Sequence, residues 1–439
     1  MSFFLTSFIH LTKRGTMEEV IKIKGGKKLS GVVNISGSKN NCVSLIPAAL
    51  LSRGLVIIHN IPPISDVYRL VDILEQCGVC ITYTDNTLII DSSNLVYKDL
   101  IMREMGKLRA SYYFYSVFLG LFKYVKANTI GGCRLGDRPI DLHLYAFKQL
   151  GTNIIEEDGT YIFDGTNLKP GHIIFEKSSV GATVNAIILA TQIKGKTIIE
   201  NVAMEPEITE LINFLCEMGA KIKGKGTNTL IIYGGQEMHG VEFSNIPDRI
   251  EVGTYALIGA SLGNNLKIKP VIPEHIQSLL ELFNVLNINY QIKNDTMIIS
   301  ASPIKQGIVI LTSPFPGFPT DLQQPLTTFL SISNGTSVII ESIYHNRFAH
   351  VKELNKMGAN ININNMNIII HGVDTLNGTI VSGKDLRGAA SLVLAGLMAK
   401  GETIVRGLDY INRGYENMIV KLKKIHANVE IVSMDLEEQ

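Results

Sequence analysis

Four short stretches combine residue types that suit chemistry rather than scaffolding. The first is GGCRLGDRPIDLH, residues 131–143, where Cys133 follows two glycines and precedes Arg134, Gly136 and Arg138. This is a polar loop, not an apolar helix face. A thiol beside guanidinium groups ionises more readily, and the thiolate is the nucleophile. The second is SGSKNN, where Lys39 and Asn40 stand at a strand-to-helix change. A lysine there suits a phosphate; the plainer reading is a Ser38 helix cap beside a solvated lysine. The third is FPGFPTDLQQP, with Asp321 just ahead of a helical pattern. Asp321 either caps that helix or handles a proton, and both readings stay open. The fourth is a set of arginines, Arg347 in YHNRFAH, Arg387 in KDLRGAA and Arg413 in INRGYEN. Each reads as an anion clamp or as a surface ion pair.

The elements that must position these groups recur along the chain. QLGTNI (149–154), EMGAKI (217–222) and KMGANI (356–361) match one another, each between an apolar helical pattern and a short β-like run. Extending outward gives six segments, 32–94, 100–165, 172–235, 241–302, 308–372 and 379–432. Each is long enough for one supersecondary unit. The third reads most clearly as βαβαββ: HIIFE, the helix SVGATVNAIILATQI, KTIIENV, the helix EITELINFLCEMG, AKIKGKG and TLIIYGG. Its helices repeat apolar residues at period 3.6, and its strands are rich in Ile and Val. The turn glycine should be the left-handed residue that ends the second helix. Asn287 takes that slot in the fourth unit, and His426, a weaker fit, in the sixth. The expected fold class is α/β, with two domains of three βαβαββ units each. In this register Cys77 is the last apolar helix position and Gly78 the turn glycine. Cys77-Gly78-Val79-Cys80 therefore reads as helix-end packing rather than a redox pair.

The same register exposes an electrostatic pattern. First helices begin near Lys39, Arg109, Lys177, Arg249, Asp321 and Arg387, and second helices near Arg138, Arg347 and Arg413. Eight of these nine positions are basic, where the helix dipole favours Ser, Asp or Glu. An anionic ligand at the shared helix entrances would resolve the conflict. Arg249 is the exception, expected to pair with a carboxylate because it follows Asp248.

Composition narrows the classes. The chain has 439 residues, 46% hydrophobic and 18% charged, enough for two or three domains. A net charge of +1 argues against a nucleic-acid groove. Five sparse cysteines fit a reducing, cytoplasmic setting. Scattered histidines and the lack of paired CxxC or HExxH spacing give no reason to expect a metal. No GxGxxG follows a strand, so ATP and NAD are not expected, and the site residues call for no cofactor. The run from Tyr112 to Phe122 is too short to span a bilayer and reads as a buried helix. Residues 1–16 lack signal-peptide features and read as a disordered extension or an early start, with Met17 opening the first patterned segment.

From about residue 19 to 433 the chain resembles the UDP-N-acetylglucosamine 1-carboxyvinyltransferases, enolpyruvyl transferases of bacterial peptidoglycan synthesis. SGSKN, GGCRLGDRPIDLH, EKSSVGAT, MEPEI, IPDRIEVGT, FPTDLQ, NRFAH, DLRGAASLVLAG and NRGYE occur in the family's order. The resemblance implies an inside-out α/β barrel in each domain, with the active site between the two. It places the chain crossings near SGSKN and IPDR. The expected division is 17–38 plus 247–439 for one domain and 39–246 for the inserted one. Lys39, Asn40, Arg138 and Arg413 would hold phosphoenolpyruvate. Arg109, Arg138, Pro139, Ile140, Asp141, Leu142, Lys177, Ser178, Ser179, Val180, Asp321 and Ile343 would bind the UDP-sugar. Arg347 and Arg387 would help close the domains. Cys133 would be the proton donor and the target of fosfomycin, and Asp321 the candidate base. The substrates would be phosphoenolpyruvate and UDP-N-acetylglucosamine, with no nucleic acid or membrane, and the protein a monomer. Tyr410, Asn412, Gly388 and His345 depart from the usual family pattern. The alternatives are a 5-enolpyruvylshikimate-3-phosphate synthase, against which KLRASYY replaces a GNAGT-type motif, and a non-catalytic nucleotide- or anion-binding relative.

Overall fold

The computed structural model describes residues 17–128 and 140–435. Cys133, Arg134, Arg138 and Pro139 lie outside the described residues.

Helix ends behave as the repeat requires. Ser65–Gln76 buries Val67, Leu70, Ile73 and Leu74, a stripe at helical spacing, and Pro206–Glu217 opens on a proline whose missing N–H costs nothing there. After the second helix of each unit comes a left-handed residue: Gly78, Gly151, Gly219, Asn287, Gly358 and His426, with φ of 82°, 87°, 115°, 55°, 91° and 71°. At Gly151 sterics add to conformation, because a Cβ would sit 2.3 Å from the Asn167 carbonyl oxygen. Cys77 is buried at the end of Ser65–Gln76 and Cys80 opens an exposed strand end, so the pair is helix-end packing.

The third unit folds on itself. His172–Ile174 runs parallel to Gly195–Glu200, and Thr229–Gly234 pairs antiparallel with both Gly195–Glu200 and Lys221–Lys223. Units one and four do not, which corrects the contiguous segments 32–94 and 241–302. Val32–Asn34 leaves its own unit and pairs with Leu266–Lys269, while Glu242–Ser244 pairs with Leu55–His59. The two units exchange first strands. Both are three-residue edge strands that bury only the middle side chain, so the exchange leaves the hydrophobic pattern unchanged. The sixth sheet is completed by Met17–Lys24, inserted between Glu402–Arg406 and Asn428–Asp435. In unit two, Leu100 makes only a single parallel bridge to Ala127 beside a three-stranded sheet.

The first helices form the interior. Lys39–Ala48, Tyr113–Phe122 and Val180–Thr191 bury nearly all their residues in one apolar core; Arg249–Leu262, Gln323–Leu330 and Leu386–Met398 do so in another. A helix apolar on every side must be covered on every side. Strands alternate buried and half-buried residues, so the sheets wrap these helices with one face outward. This is the inside-out α/β arrangement. One core draws on residues 42–243, the other on 21–35 and 250–429. On that basis we propose the division 17–38 plus 247–439 and 39–246. The two crossings run side by side, with Ser38 N–H on the Ile246 carbonyl at 2.7 Å and Asp248 N–H on that of Ser36 at 2.9 Å.

Candidate active site

A cleft of about 1380 Å³ opens where helix entrances from both cores meet. Lys39, Asn40, Arg109, Asp141, Leu142, Lys177, Ser178, Ser179 and Val180 reach it from the inserted side. Asp321, Ile343, Arg347, Arg387 and Arg413 reach it from the other. Ile140 directly follows residues outside the described ones, and its apolar side chain is buried in the 42–243 core.

Local sequence explains the placements. Lys39 is the first residue of its helix, and Ser38 caps that helix by accepting the Asn41 N–H at 3.3 Å. The Ser38 cap is present and leaves the Lys39 side chain facing the cleft. Ser179 caps Val180–Thr191, which sets Lys177 and Ser178 on the approach to that helix. Arg109 opens the short turn Arg109–Tyr112 ahead of Tyr113–Phe122. Arg387 is the second residue of Leu386–Met398, which Asp385 caps through Arg387 N–H and Gly388 N–H at 3.1 and 2.9 Å. Arg413 is a further correction. It follows Leu408–Ile411 and precedes Met418–Lys424 by five residues, so it stands on a connection rather than at a helix start.

Carboxylates of the protein itself answer the helix-entrance cations. Asp321 faces two arginines, Arg347 Nη2 at 2.8 Å and Arg387 Nη2 at 3.0 Å, on opposite oxygens. Burial alone would raise its pKa, but the two guanidiniums hold the carboxyl well below the usual range. The helix after it has no side-chain cap, so the capping reading of Asp321 falls. Asp66 sits among Arg413, Arg69 and Lys39 at 3.0, 3.0 and 3.5 Å. Arg249 pairs with Glu207 at 3.1 Å rather than with its neighbour Asp248, which instead caps Arg249–Leu262. The conflict read from sequence is thus met in part within the protein, and an anionic ligand is not its only resolution.

Sequence reasoning passed over several wall residues. His143 packs edge-on against Tyr112 with ring centroids 4.5 Å apart, and its Nδ1 lies 2.8 Å from Asn185 Nδ2. Because the amide donates, the ring proton belongs on Nε2. Burial, helped by Arg109, pushes its pKa down to about 3, so the ring is neutral at physiological pH. His143 closes the GGCRLGDRPIDLH motif, which was signal enough. Glu205 and Glu207, in MEPEI, also reach the wall. Burial raises the Glu205 carboxyl, and Phe315 N–H donates to its Oε1 at 3.4 Å from the opposite domain. Glu341 accepts the Ile343 and Tyr344 N–H groups at 2.9 and 3.2 Å, which fixes the turn that carries Ile343 into the cleft. Asp66 gave no signal, since an acid in a helix's first turn is ordinary.

A family model described as EPSP synthase (3-phosphoshikimate 1-carboxyvinyltransferase) matches residues 23–422. The UDP-N-acetylglucosamine 1-carboxyvinyltransferase 2 of Listeria monocytogenes is 42% identical over 94% of this chain and 98% of its own length. Its namesake from Bacillus anthracis is 41% identical over 96% and 99%. Among solved structures, the enolpyruvyl transferase NikO from Streptomyces tendae aligns with a TM-score of 0.87 at 24% identity, over 95% of this chain and 100% of that one. An EPSP synthase from Acinetobacter baumannii aligns at 0.70 and 17%, over 94% and 100%. The structural likenesses carry the fold, and the sequence relatives narrow the choice within it: the chain belongs to the UDP-N-acetylglucosamine 1-carboxyvinyltransferase family of enolpyruvyl transferases.

Proposed function

We propose that the protein transfers the enolpyruvyl group of phosphoenolpyruvate to the 3′-hydroxyl of UDP-N-acetylglucosamine and releases phosphate, the first committed step of peptidoglycan synthesis. The observation that carries this is the two-sided charge layout. Lys39 and Arg413 converge around Asp66, and the Asp321–Arg347–Arg387 group lies on the same cleft. One side suits a small phosphorylated carboxylate, with Asn40 beside Lys39 and Arg138 joining from outside the described residues. The longer wall from Arg109 through Asp141, Leu142 and Lys177–Val180 to Ile343 suits the UDP-sugar.

The sugar oxygen bonds to C2 of phosphoenolpyruvate while C3 takes a proton, giving a tetrahedral ketal phosphate. Loss of phosphate from C2 and of a proton from C3 then restores the double bond. Cys133 is the proposed proton donor to C3. Asp321, anionic between two guanidiniums, accepts a hydrogen bond from the attacking hydroxyl. Such a carboxylate has little affinity for a proton, so transfer completes only as the new C–O bond acidifies the hydroxyl. The fixed cations stabilise phosphate as it departs. Arg347 and Arg387 hold Asp321 in place from within its own domain, and they are the residues proposed to help close the domains over the ligands.

No helix among the described residues is long and apolar enough to cross a membrane. A cytoplasmic monomer acting on soluble substrates is the setting we propose. Purified protein should release inorganic phosphate from phosphoenolpyruvate with UDP-N-acetylglucosamine. Release with shikimate 3-phosphate instead would move the assignment to the sister reaction, and release with neither would leave a binding protein.

A further inference from the structure

We infer that Asp66 is a positioning residue for phosphoenolpyruvate, its carboxylate drawing Arg413 across the cleft to the side of Lys39 and so building one phosphate clamp from both domains. The inference rests on the proposed assignment of Lys39 and Arg413 to phosphoenolpyruvate.

Asp66 lies in the first turn of Ser65–Gln76, on the inserted side, with its side chain 1% exposed. A helix-dipole role would suit a solvated acid there; it does not account for burial, which is costly for a carboxylate unless cations surround it. Those cations come from three places. Oδ1 accepts Arg69 Nη1 at 3.0 Å from one turn along the same helix, and Arg413 Nε at 3.0 Å from the opposite domain. Oδ2 accepts Arg413 Nη2 at 3.5 Å and lies 3.5 Å from Lys39 Nζ. Lys39 and Arg413 both line the cleft, whereas Arg69 does not. Asp66 thus stands between a rear cation and two forward ones. Within this group of four the cations outnumber the one carboxylate, so the cleft beside it is electropositive.

Arg413 does not cross alone. Ser65 N–H donates to the Asn412 carbonyl at 3.0 Å, and Asn86 Nδ2 donates to Glu416 Oε1 at 3.3 Å. The Asn412–Glu416 segment is therefore docked on the inserted domain on either side of Arg413. Those flanking bonds set the height of the segment. The Asp66 carboxylate sets where the guanidinium points, and it offsets the repulsion between Arg413 and Lys39.

The test is the effect of Asp66→Asn on each ligand separately, by titration calorimetry with phosphoenolpyruvate and with UDP-N-acetylglucosamine, and by steady-state KM where turnover is measured. Loss of an oriented, charge-assisted pair should weaken phosphoenolpyruvate by about tenfold or more and the UDP-sugar by less than about threefold. Arg69→Gln removes a partner of the same carboxylate behind the cleft, and both ligands should stay within about threefold. Asp66→Glu keeps the charge and should fall between wild type and Asp66→Asn; if Asp66→Asn does not fold, Asp66→Glu alone must show the same selective loss. Equal weakening of both ligands, unchanged phosphoenolpyruvate binding, or an Arg69→Gln effect as large as that of Asp66→Asn overturns the inference. Failure of the functional reading shows elsewhere, as wild-type protein that releases no phosphate from the substrate pair.

Discussion

Asp248 Oδ2 accepts the backbone N–H of Lys39 at 3.1 Å, although the two residues are 209 positions apart. Its other oxygen accepts Ile250 N–H and Glu251 N–H at 2.8 and 3.0 Å. One acid therefore caps the first helix of unit one and the first helix of unit four, on the two crossings between domains. Lys39 in the inserted domain and Arg249 in the other are held to a common point. Asp248→Ala removes both caps, each worth roughly 0.5–2 kcal/mol. Thermal melting should show a loss at least as large as one cap. The KM for phosphoenolpyruvate should rise, because the Lys39 backbone loses its anchor. A variant with wild-type melting and KM would make the shared cap incidental.

Asp321 gives a prediction with a pH sign. Its carboxyl is held low by Arg347 and Arg387 despite burial. A depressed acid contributes stability above its unfolded value, and that contribution is lost only as pH falls through the lower folded value. The melting-temperature gap between wild type and Asp321→Asn should therefore be flat from neutral pH down to the ordinary carboxylate range, about 4. Over the same range kcat should be lower in Asp321→Asn by roughly 10²–10⁴ with both ligands still bound. An acid limb in the wild-type kcat profile must then come from another group. Near-normal turnover in Asp321→Asn would reduce the residue to an arginine anchor.

What could be read from the chain follows from what is local. A left-handed helix end is set by a few neighbouring residues, so Gly78, Gly151, Gly219, Asn287, Gly358 and His426 were all legible, even the last, where an imidazole side chain takes φ of 71°. The exchange of Val32–Asn34 with Glu242–Ser244 was not, because either partner satisfies the same short edge. Cations at helix starts were visible one by one. Their carboxylate partners were not, since Asp66 meets Arg413 347 residues away and Glu207 meets Arg249 42 away. Arg249 does pair with a carboxylate, as its sequence suggested, but the partner, Glu207, lies 42 residues away and is buried. The cleft walls were legible as motifs, but His143 needed Asn185 and Tyr112 placed around it before its neutral form could be deduced.

The cysteines divide by environment, and alkylation should follow the division. Cys42 and Cys77 are buried, and burial pushes their thiols up, Cys77 to about 11, so both are poor nucleophiles. Cys80 and Cys216 are exposed but lie outside the cleft wall. Cys133 is flanked in sequence by Arg134 and Arg138. The epoxide phosphonate fosfomycin should add once, and peptide mapping should find it on Cys133. Cys133→Ala should show no adduct under the same conditions. Modification of Cys80 or Cys216 at a comparable rate would remove the case for a specially reactive loop thiol.

Gly181 tests the UDP-sugar wall without touching a charge. It lies in the first turn of Val180–Thr191 and lines the cleft. A Cβ there would stand 2.6 Å from the Tyr112 hydroxyl and 2.7 Å from His143 Cε1. Neither neighbour can yield cheaply: His143 is tied to Asn185 and packed edge-on against Tyr112, and the Arg109 guanidinium lies 5.8 Å from the Tyr112 ring centre. Gly181→Ala must therefore displace the pair together, and overpacking of this kind costs about 1–3 kcal/mol. The displacement moves the wall next to Asp141 and Leu142, far in sequence from the Lys39 and Arg413 clamp. The KM for UDP-N-acetylglucosamine should rise several-fold more than that for phosphoenolpyruvate, with a lower melting temperature. A rise confined to phosphoenolpyruvate would place the two substrates the other way round in the cleft.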